Sequence, residues 1–443
     1  MTMTRFQPKP SQSQSQSQSQ SQLHVATLES MASAPTARRI VAFSNLDGKA
    51  LNNEASSFPT AGQLKAVIPK ECFTSTDTTT SLMYLGLSAS LSAVCVAAGF
   101  AMLPLVPPSL LSAPIWLAYA AVAGTVEMGL WVLAHECGHG AFSKDLRVQD
   151  TVGFVLHSIL LVPYYSWQRS HAIHHRFTNH MELGETHVPE VNDPNSPIAS
   201  IKNRQMLCET FGKKVGLRLW GALQMLLHLG FGWPAYLLIG ATGGPGRGGT
   251  NHFMPNPTSP VSAEFPTSEL FPGQWKEKVL RSDIGIAAVV GMLFSWGLCN
   301  GFGTVMAIYG GPYLVINCWL VLYTWLQHTN TDVPHFTDAD HTYVKGALHT
   351  IDRPYDKLDP FGIIDFLHHR IGSTHVAHHF DCSIPHYKAK LATEAIKENF
   401  PDLYLYDPTP IPQALWNVCV GCTAVEKVGD KYVWSNEILN DNN

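Results

Sequence analysis

Four long apolar runs constrain the fold of this chain more than any other feature. They cover residues 82–106, 113–134, 284–303 and 305–326. A helix rises 1.5 Å per residue, so each run has the roughly 20 residues that are needed to cross the hydrocarbon core of a bilayer. The runs form two pairs with short links. This pattern predicts two transmembrane hairpins in an all-α integral membrane protein.

The distribution of charge supports this prediction and orients the chain. Only 14% of the residues are charged, against roughly 25% in ordinary soluble domains. The links at 107–112 and 301–304 contain no Lys or Arg, whereas both occur often in segment 135–283 and after residue 328. The positive-inside rule therefore predicts that these basic regions face the cytosol as a helical cap. Two further apolar runs, 152–165 and 219–239, are predicted to lie at the interface without crossing.

Three short histidine clusters lie at or beyond the ends of the apolar runs. They are HECGH, HAIHH and HVAHH, and they contain His135, His139, His171, His174, His175, His375, His378 and His379. On a helix, positions i, i+3 and i+4 share one face, so each cluster directs its imidazoles to one point. Eight imidazoles exceed the roughly four ligands that one zinc ion takes, which favours a site for two metals. Imidazole binds zinc, copper, iron and nickel, so the ligand type alone leaves the metal open.

The N-terminal segment differs from the rest of the chain. Residues 11–22 are a Ser-Gln repeat without apolar side chains, so segment 1–57 is predicted to be disordered. Its start carries basic residues and no acidic ones, a faint likeness to an organelle transit peptide. At the other end, segment 406–443 is predicted to be a tail, in which Cys419 and Cys422 form a single CxxC pair.

The sequence around the clusters resembles the membrane fatty acid desaturases, in the branch that makes Δ12 (omega-6) and omega-3 double bonds. The likeness covers residues 58–405 and includes AHECGHGAFS (134–143), SWQRSHAIHH (166–175), WLVLYTWLQHT (319–329), GALHTIDR (346–353) and HVAHHFDCSIPHY (375–387). It implies a diiron site held by the eight clustered histidines and by His328, with dioxygen as co-substrate. It also implies a fatty acyl lipid substrate. Within this branch, HECGH with Glu136 and the stretch TNHMELGETHVP (178–189) favour desaturation of an 18-carbon oleoyl chain at Δ12 to linoleoyl.

The same resemblance implies an external source of electrons. Iron suits an oxidation that redox-inert zinc cannot perform. The chain has no GxGxxG loop of a fused reductase. An enzyme of the endoplasmic reticulum membrane is expected to use cytochrome b5 and its reductase, and a plastid enzyme is expected to use ferredoxin. Nothing in the sequence predicts a nucleic-acid partner.

Three residues near the first two clusters are candidates for supporting the metals or the acyl channel. Glu136 lies about 100° around the helix from His135, so it is expected to be a hydrogen-bond partner of a ligand and not a ligand itself. Glu127 lies two steps of four residues before His135, inside an apolar run where a carboxylate is costly. It is therefore expected to face the bundle interior near the channel. Trp167 is expected to pack in support of the second cluster.

Further polar residues outside the clusters have weaker signals. Asp365 is a candidate for hydrogen bonding to the ligands, as are Asp150 and Asp352. Four histidines outside the clusters are expected to be ordinary interfacial or hydrogen-bonded side chains, and they are His180, His187, His252 and His386.

Other functions share parts of this pattern. An omega-3 desaturase, an acyl hydroxylase or a conjugase would use the same clusters. HECGH also matches the HExxH of zinc proteases, but a protease needs only one further ligand and would leave two clusters unexplained. A histidine-rich membrane metal transporter would place polar ligands deep within the apolar runs, whereas these clusters lie at their ends.

Overall fold

The computed structural model describes residues 58–435, except 75, 194, 196, 260–268, 356 and 357. The predicted disordered segment 1–57 and residues 436–443 of the predicted tail lie outside this description. The described chain is mostly helical. Its helices are α1 (Ala61–Val67), α2 (Glu71–Thr74), α3 (Thr78–Met102), α4 (Ala113–His139), α5 (Leu146–Ile159), α6 (Tyr164–Arg176), α7 (Ala199–Phe211), α8 (Lys213–Leu226), α9 (Gly232–Ile239), α10 (Trp275–Asn300), α11 (Phe302–Val305), α12 (Gly311–His328), α13 (Tyr343–Leu348), α14 (Ile363–Leu367), α15 (His375–Phe380), α16 (His386–Asn399) and α17 (Ile411–Gly421).

Several shorter elements complete the fold. A π-helical turn, Leu227–Phe231, joins α8 to α9, and a second, Met306–Gly310, joins α11 to α12. A 3₁₀ turn covers Pro245–Arg247. The strands are β1 (His335–Phe336), β2 (Val425–Val428) and β3 (Lys431–Trp434).

The long helices follow the predicted apolar runs. They are α3, α4, α10 and the continuous stretch Phe302–His328. Helix α3 begins earlier than residue 82 because the Asp77 carboxylate accepts hydrogen bonds from the backbone N–H groups of Thr79 and Thr80, at 3.3 and 2.9 Å. Helix α4 packs against α3 and α12. Large apolar side chains are exposed on the outer faces of these helices, as expected for surfaces that face lipid.

A fifth stretch, Lys213–Ile239, is also long and apolar enough to cross a membrane. Near its start the Trp220 indole donates a hydrogen bond to Thr423 Oγ1 at 3.2 Å. Near its end the Tyr236 hydroxyl lies 2.7 Å from the Ser170 hydroxyl on α6. Ser170 lies on α6, which follows α4 in the chain, and Thr423 follows α17, which comes after α12. Both ends of the stretch therefore contact segments outside the four predicted spans.

The C-terminal segment is folded against the rest of the molecule. Strand β3 lies between β1 and β2 in an antiparallel sheet, with His335 opposite Tyr432. The all-α prediction missed this sheet because its strands are only two to four residues long and pair across a large sequence separation. Helix α17 contributes Ile411, Leu415 and Val418 to the main apolar core. Described residues 406–435 therefore belong to the folded domain and are not a free tail.

Candidate metal centre

Each histidine cluster lies at the end of a helix that brings it to the same place. His135 and His139 occupy the last turn of α4, the second cluster ends α6, and the third forms most of the short α15. Helices α4 and α6 approach closely at Gly138, where a Cβ atom would come within 2.5 Å of the Trp167 ring. The glycine of HECGH therefore permits the contact that sets the second cluster against the first.

The first group contains five imidazoles, from His135, His139, His171, His175 and His378. One ring nitrogen of each lies within 4.8 Å of the others. The closest Nε2 pairs are 3.0 Å for His135 and His171, 3.1 Å for His135 and His139, and 3.2 Å for His171 and His175. All three clusters therefore contribute to this group.

The second group contains the other four imidazoles. His174, His328 and His379 have ring nitrogens within 4.8 Å of one another. The Nε2 atom of His328 lies 3.1 Å from that of His174 and 2.9 Å from that of His375. His328 is the last residue of α12 and enters the site there, as the resemblance implied.

The geometry of both groups fits metal ions. Two nitrogen ligands at right angles around an ion, with bonds of about 2.1 Å, lie about 3.0 Å apart. The observed spacings match this value. Within the described chain, several of these ring nitrogens are buried without a hydrogen-bond partner, among them Nε2 of His378 and His379. Unpaired buried nitrogens are costly, so a ligand at this point would satisfy them.

The electrostatic state of the imidazoles also suits metal binding. Burial lowers the pKa of His378 to about 3. Burial and the neighbouring imidazoles hold the pKa values of His171, His175 and His379 well below their usual range. These rings are therefore neutral near pH 7, which is the form that binds a metal.

A largely apolar cavity of about 380 Å³ reaches the two groups. His171 and His174 lie on its wall, together with the rings of Trp131, Trp167 and Trp233. Helix α12 and the stretch Lys213–Ile239 form two sides. Cys422, Thr423 and Trp434 of the C-terminal segment form another. The cavity has the character of a site for a hydrocarbon chain beside a pair of metals.

Comparison with known proteins agrees with this geometry. Residues 114–409 match the fatty acid desaturase family. The chain belongs to this family. A Delta(12)-fatty-acid desaturase of Arabidopsis thaliana is 35% identical, over 85% of this chain and 91% of that protein.

Two further relatives are similar over most of their length. An omega-6 fatty acid desaturase of Brassica juncea, named as an endoplasmic reticulum protein, is 34% identical over 86% of this chain and 92% of its own. An oleoyl-12-hydroxylase of Ricinus communis is 35% identical over 83% of this chain and 87% of its own.

Asp352 supports the third cluster of this family member. Its Oδ1 accepts hydrogen bonds from the backbone N–H groups of His375 and Val376, at 2.6 and 3.1 Å. The Tyr404 hydroxyl donates to its Oδ2 at 2.8 Å. Asp352 therefore caps the N-terminus of α15 from a distant part of the chain.

Two other side chains contact the ligands through polar atoms. The carboxylate of Glu136 accepts a hydrogen bond from the backbone N–H of His386 at 2.9 Å, and it lies 3.4 Å from Nδ1 of His135. Glu136 therefore lies between His135 and the start of α16. The Thr178 hydroxyl lies 3.2 Å from Nδ1 of His379 and leaves Nε2 of that ring toward the second group.

Trp167 lies against the second cluster, whereas Asp365 lies away from both groups. The Trp167 ring stacks on His171 at 4.5 Å. Asp365 instead accepts a hydrogen bond from Ser373 at 2.7 Å and so stabilises the turn before α15. Within the described chain it contacts no imidazole of the two groups. Sequence reasoning could not distinguish it from Asp352 because the spacing of neither aspartate points to a cluster.

Glu127 is half-buried between helices but does not line the cavity. It lies near Tyr119 and Tyr309. Trp131, one turn later on α4, does line the cavity.

His187 is a site residue that the sequence analysis treated as ordinary. Its ring stacks on His328 with centroids 5.1 Å apart, and it lines the cavity. Its backbone has a φ of +59°, an uncommon conformation that local strain often accompanies at functional sites. A single histidine without periodic neighbours gave no signal for this position.

Proposed function

We propose that this chain is an oxygen-dependent fatty acyl desaturase that introduces a cis double bond at Δ12 of an 18-carbon oleoyl chain to give linoleoyl. The observation that carries the proposal is the convergence of nine imidazoles in two groups, of which His171 and His174 line an apolar cavity. The names of the Arabidopsis and Brassica relatives support the Δ12 position.

Two iron ions are the proposed cofactors. The first group of five imidazoles would hold one and the second group of four the other. Bound iron would supply the oxidising power that removes two hydrogens from adjacent methylenes while dioxygen is reduced to water. Thr178 and Asp352 would hold the second group in place, and Glu136 and Trp167 would do so for the first.

The cavity would select and orient the substrate. Its tryptophan rings and Leu320 offer apolar contact along an acyl chain and exclude bulk water. His171 and His174 mark the end at which the reacting methylenes would lie. We propose cytochrome b5 and its reductase as the electron source, in keeping with the endoplasmic reticulum in the name of the Brassica relative.

We propose a location in the endoplasmic reticulum membrane, with four crossings and the histidines on the cytosolic side. The name of the Brassica relative supports the organelle. The contacts at both ends of Lys213–Ile239 support an interfacial position for that stretch. A plastid location would instead require ferredoxin as the electron donor.

Glycosylation or protease-accessibility tags test this topology. A tag at Pro108 should be lumenal, and tags at Thr258 and at the C-terminus should be cytosolic. A lumenal tag at Thr258 would contradict four crossings.

An acyl hydroxylase is the second candidate, because the Ricinus oleoyl-12-hydroxylase is as similar to this chain as the Arabidopsis desaturase is. Both activities would begin with removal of a hydrogen at the same position of oleate. The clusters therefore do not separate them.

Expression in a host that makes oleate but no linoleate tests the proposal. Gas chromatography of the host lipids should show linoleate with the wild-type chain and none with His175→Ala. Hydroxyoleate as the main product would establish the hydroxylase. Failure of both products in oleate-rich lipids, with trienoic acid formed only when linoleate is fed, would establish an omega-3 desaturase instead.

A further inference from the structure

The proposed reaction requires protons at a buried place. For each double bond, two C–H bonds and one O–O bond break, and four O–H bonds form. Two of the four hydrogens come from the acyl chain, and the other two arrive as protons with two electrons from the external carrier protein. The imidazoles of the two groups are neutral and would bind the metals through their ring nitrogens. Another group must therefore bring these protons into the apolar cavity.

Glu185 is a buried carboxyl on the cavity wall. It is 5% exposed and lines the same cavity as His171 and His174. The other carboxyl on this wall, Glu190, is exposed. Within the described chain, Oε2 of Glu185 has no hydrogen-bond partner. A buried carboxylate with a free oxygen is costly, whereas a buried carboxylic acid is not.

A chain of hydrogen bonds leads from Glu185 into the protein. Glu185 bonds to the Tyr236 hydroxyl. That hydroxyl lies 2.7 Å from the Ser170 hydroxyl, which lies 3.0 Å from Nε2 of His252. The Nδ1 atom of His252 lies 3.2 Å from the carbonyl oxygen of Leu237 and ends the chain.

Beyond Glu185 this chain consists of neutral groups. A carbonyl can only accept, so Nδ1 of His252 donates to it. Burial lowers the pKa of His252 to about 4, so the ring is neutral and its Nε2 accepts. The Ser170 hydroxyl lies beside this Nε2 and also donates to the carbonyl oxygen of Trp167 at 3.1 Å. The Tyr236 hydroxyl donates to an ionised Glu185 and can accept from a protonated one, so Glu185 can bind and release a proton without losing this partner.

We propose that Glu185 is the proton-delivering carboxyl of the cavity. It starts each cycle as the neutral acid, gives its proton toward oxygen that is being reduced to water, and regains a proton from water at the cavity mouth near Glu190. Two such transfers supply the two protons for each double bond. This inference rests on the proposed oxidase chemistry of the site, but it does not depend on which acyl position is desaturated.

The surroundings of Glu185 set the pH range in which it can act. The groups that face it are Arg247 on the 3₁₀ turn, Tyr236 on α9 and His252 on the loop that follows. Burial raises the pKa of Glu185, whereas the hydrogen bond from Tyr236 and the Arg247 charge lower it, and the net value is about 7. The acid form is therefore present below about pH 7 and is lost above it.

The test compares Glu185→Gln with wild-type protein in membranes that supply the electron carrier. Glutamine keeps the size of the side chain and can still form a hydrogen bond with Tyr236, but it carries no titratable proton. We expect iron content and thermal stability to be unchanged and the rate of product formation to fall roughly 100-fold, the usual range for loss of a general acid. The matched control is Glu182→Gln, because Glu182 lies on the same loop outside the cavity.

The pH profile and the infrared spectrum distinguish proton delivery from a structural role. The wild-type rate should fall about tenfold for each pH unit above the pKa of Glu185. This alkaline decline of the rate should be absent in Glu185→Gln. Infrared difference spectra between about pH 6 and pH 8 should show loss of a protonated carboxyl band in the wild type that is absent from the variant. Loss of iron or of stability in Glu185→Gln would overturn the proposal. So would a variant that keeps the wild-type rate and its alkaline decline.

The infrared measurement does not need turnover. If wild-type protein formed no unsaturated or hydroxylated product, the proposed function would fail while the state of Glu185 could still be read. A carboxyl band that is equal in both proteins would overturn the proposal whatever the activity.

Discussion

The two histidine groups have the same chemistry but are held in place by different means. Most ligands of the first group lie at the ends of α4 and α6, whose packing against each other fixes them. The second group depends on His328 and on α15, a helix of only six residues. So short a helix does not hold its own geometry, and Asp352 and Thr178 hold it instead. Long helices can place ligands by packing, whereas short ones require buried hydrogen bonds.

The imidazoles of the two groups also differ in their exposure to solvent. His139 and His171 of the first group are half-buried, whereas the ligands of the second group are all buried. The first group is therefore the more accessible to water and to protons, and the second is the more dependent on its supports.

Removal of a ligand should have the largest effect. His175→Ala in the first group and His379→Ala in the second should each lower product formation more than about 100-fold, since even loss of a supporting contact costs roughly 10- to 100-fold. Each variant should retain close to one iron per chain, measured by elemental analysis. His349→Gln, outside both groups, is the control. Loss of both irons in both variants would show that the groups are one cooperative site.

Acidification should release iron from the two groups one after the other. The pKa of His378 is about 3 in the folded chain, against about 6.5 when unfolded. Between these values only the unfolded chain takes up the proton, so stability falls as pH decreases from 6.5, by about 2 kcal/mol at pH 5 for this ring alone. Iron retention and melting temperature across this range measure the effect. We expect the half-exposed first group to release its iron first, and simultaneous release would refute the difference in accessibility.

Loss of Asp352 should affect the second group selectively. Asp352→Ala leaves buried donors of α15 and Tyr404 unsatisfied, at a cost of about 1–3 kcal/mol each in the free energy of unfolding. We expect partial loss of the second iron and milder effects in Asp352→Asn, which keeps an acceptor. Asp365→Ala is the matched control, because its carboxylate contacts no ligand. Equal iron loss in the two alanine variants would mean that the helix cap is not what supports the group.

The smallest effect is expected from Thr178. Thr178→Val removes the hydroxyl beside Nδ1 of His379 and should weaken the binding of one iron roughly 10-fold. Competition with a chelator measures this affinity. Thr178→Ser restores the hydroxyl and should restore the affinity, and a valine variant with unchanged affinity would show that packing alone orients His379.

The sequence predicted those parts of the molecule that local patterns encode. The apolar runs are continuous stretches of chain, and the i, i+3, i+4 spacing of HAIHH lies within one short motif, so the long helices and the eight clustered histidines could be read directly. His328 came from the resemblance alone. Asp352 caps a helix 23 residues away, and the pairing of Arg353 with Asp407 spans 54 residues. The spacing of apolar residues in the sequence does not reveal such contacts. The strands of the small sheet are too short to show the alternating pattern of a strand.

The C-terminal wall of the cavity has a consequence for the life of the protein in the cell. Residues between Trp131 and Trp434 enclose the same space, and these two leave the ribosome far apart in time. A nascent chain can insert its helices and gather its histidines long before the wall at Cys422 and Trp434 exists. The oxidising centre would then stand open to water and to any nearby lipid. Loading of iron only after release from the ribosome would protect the membrane from the unfinished protein.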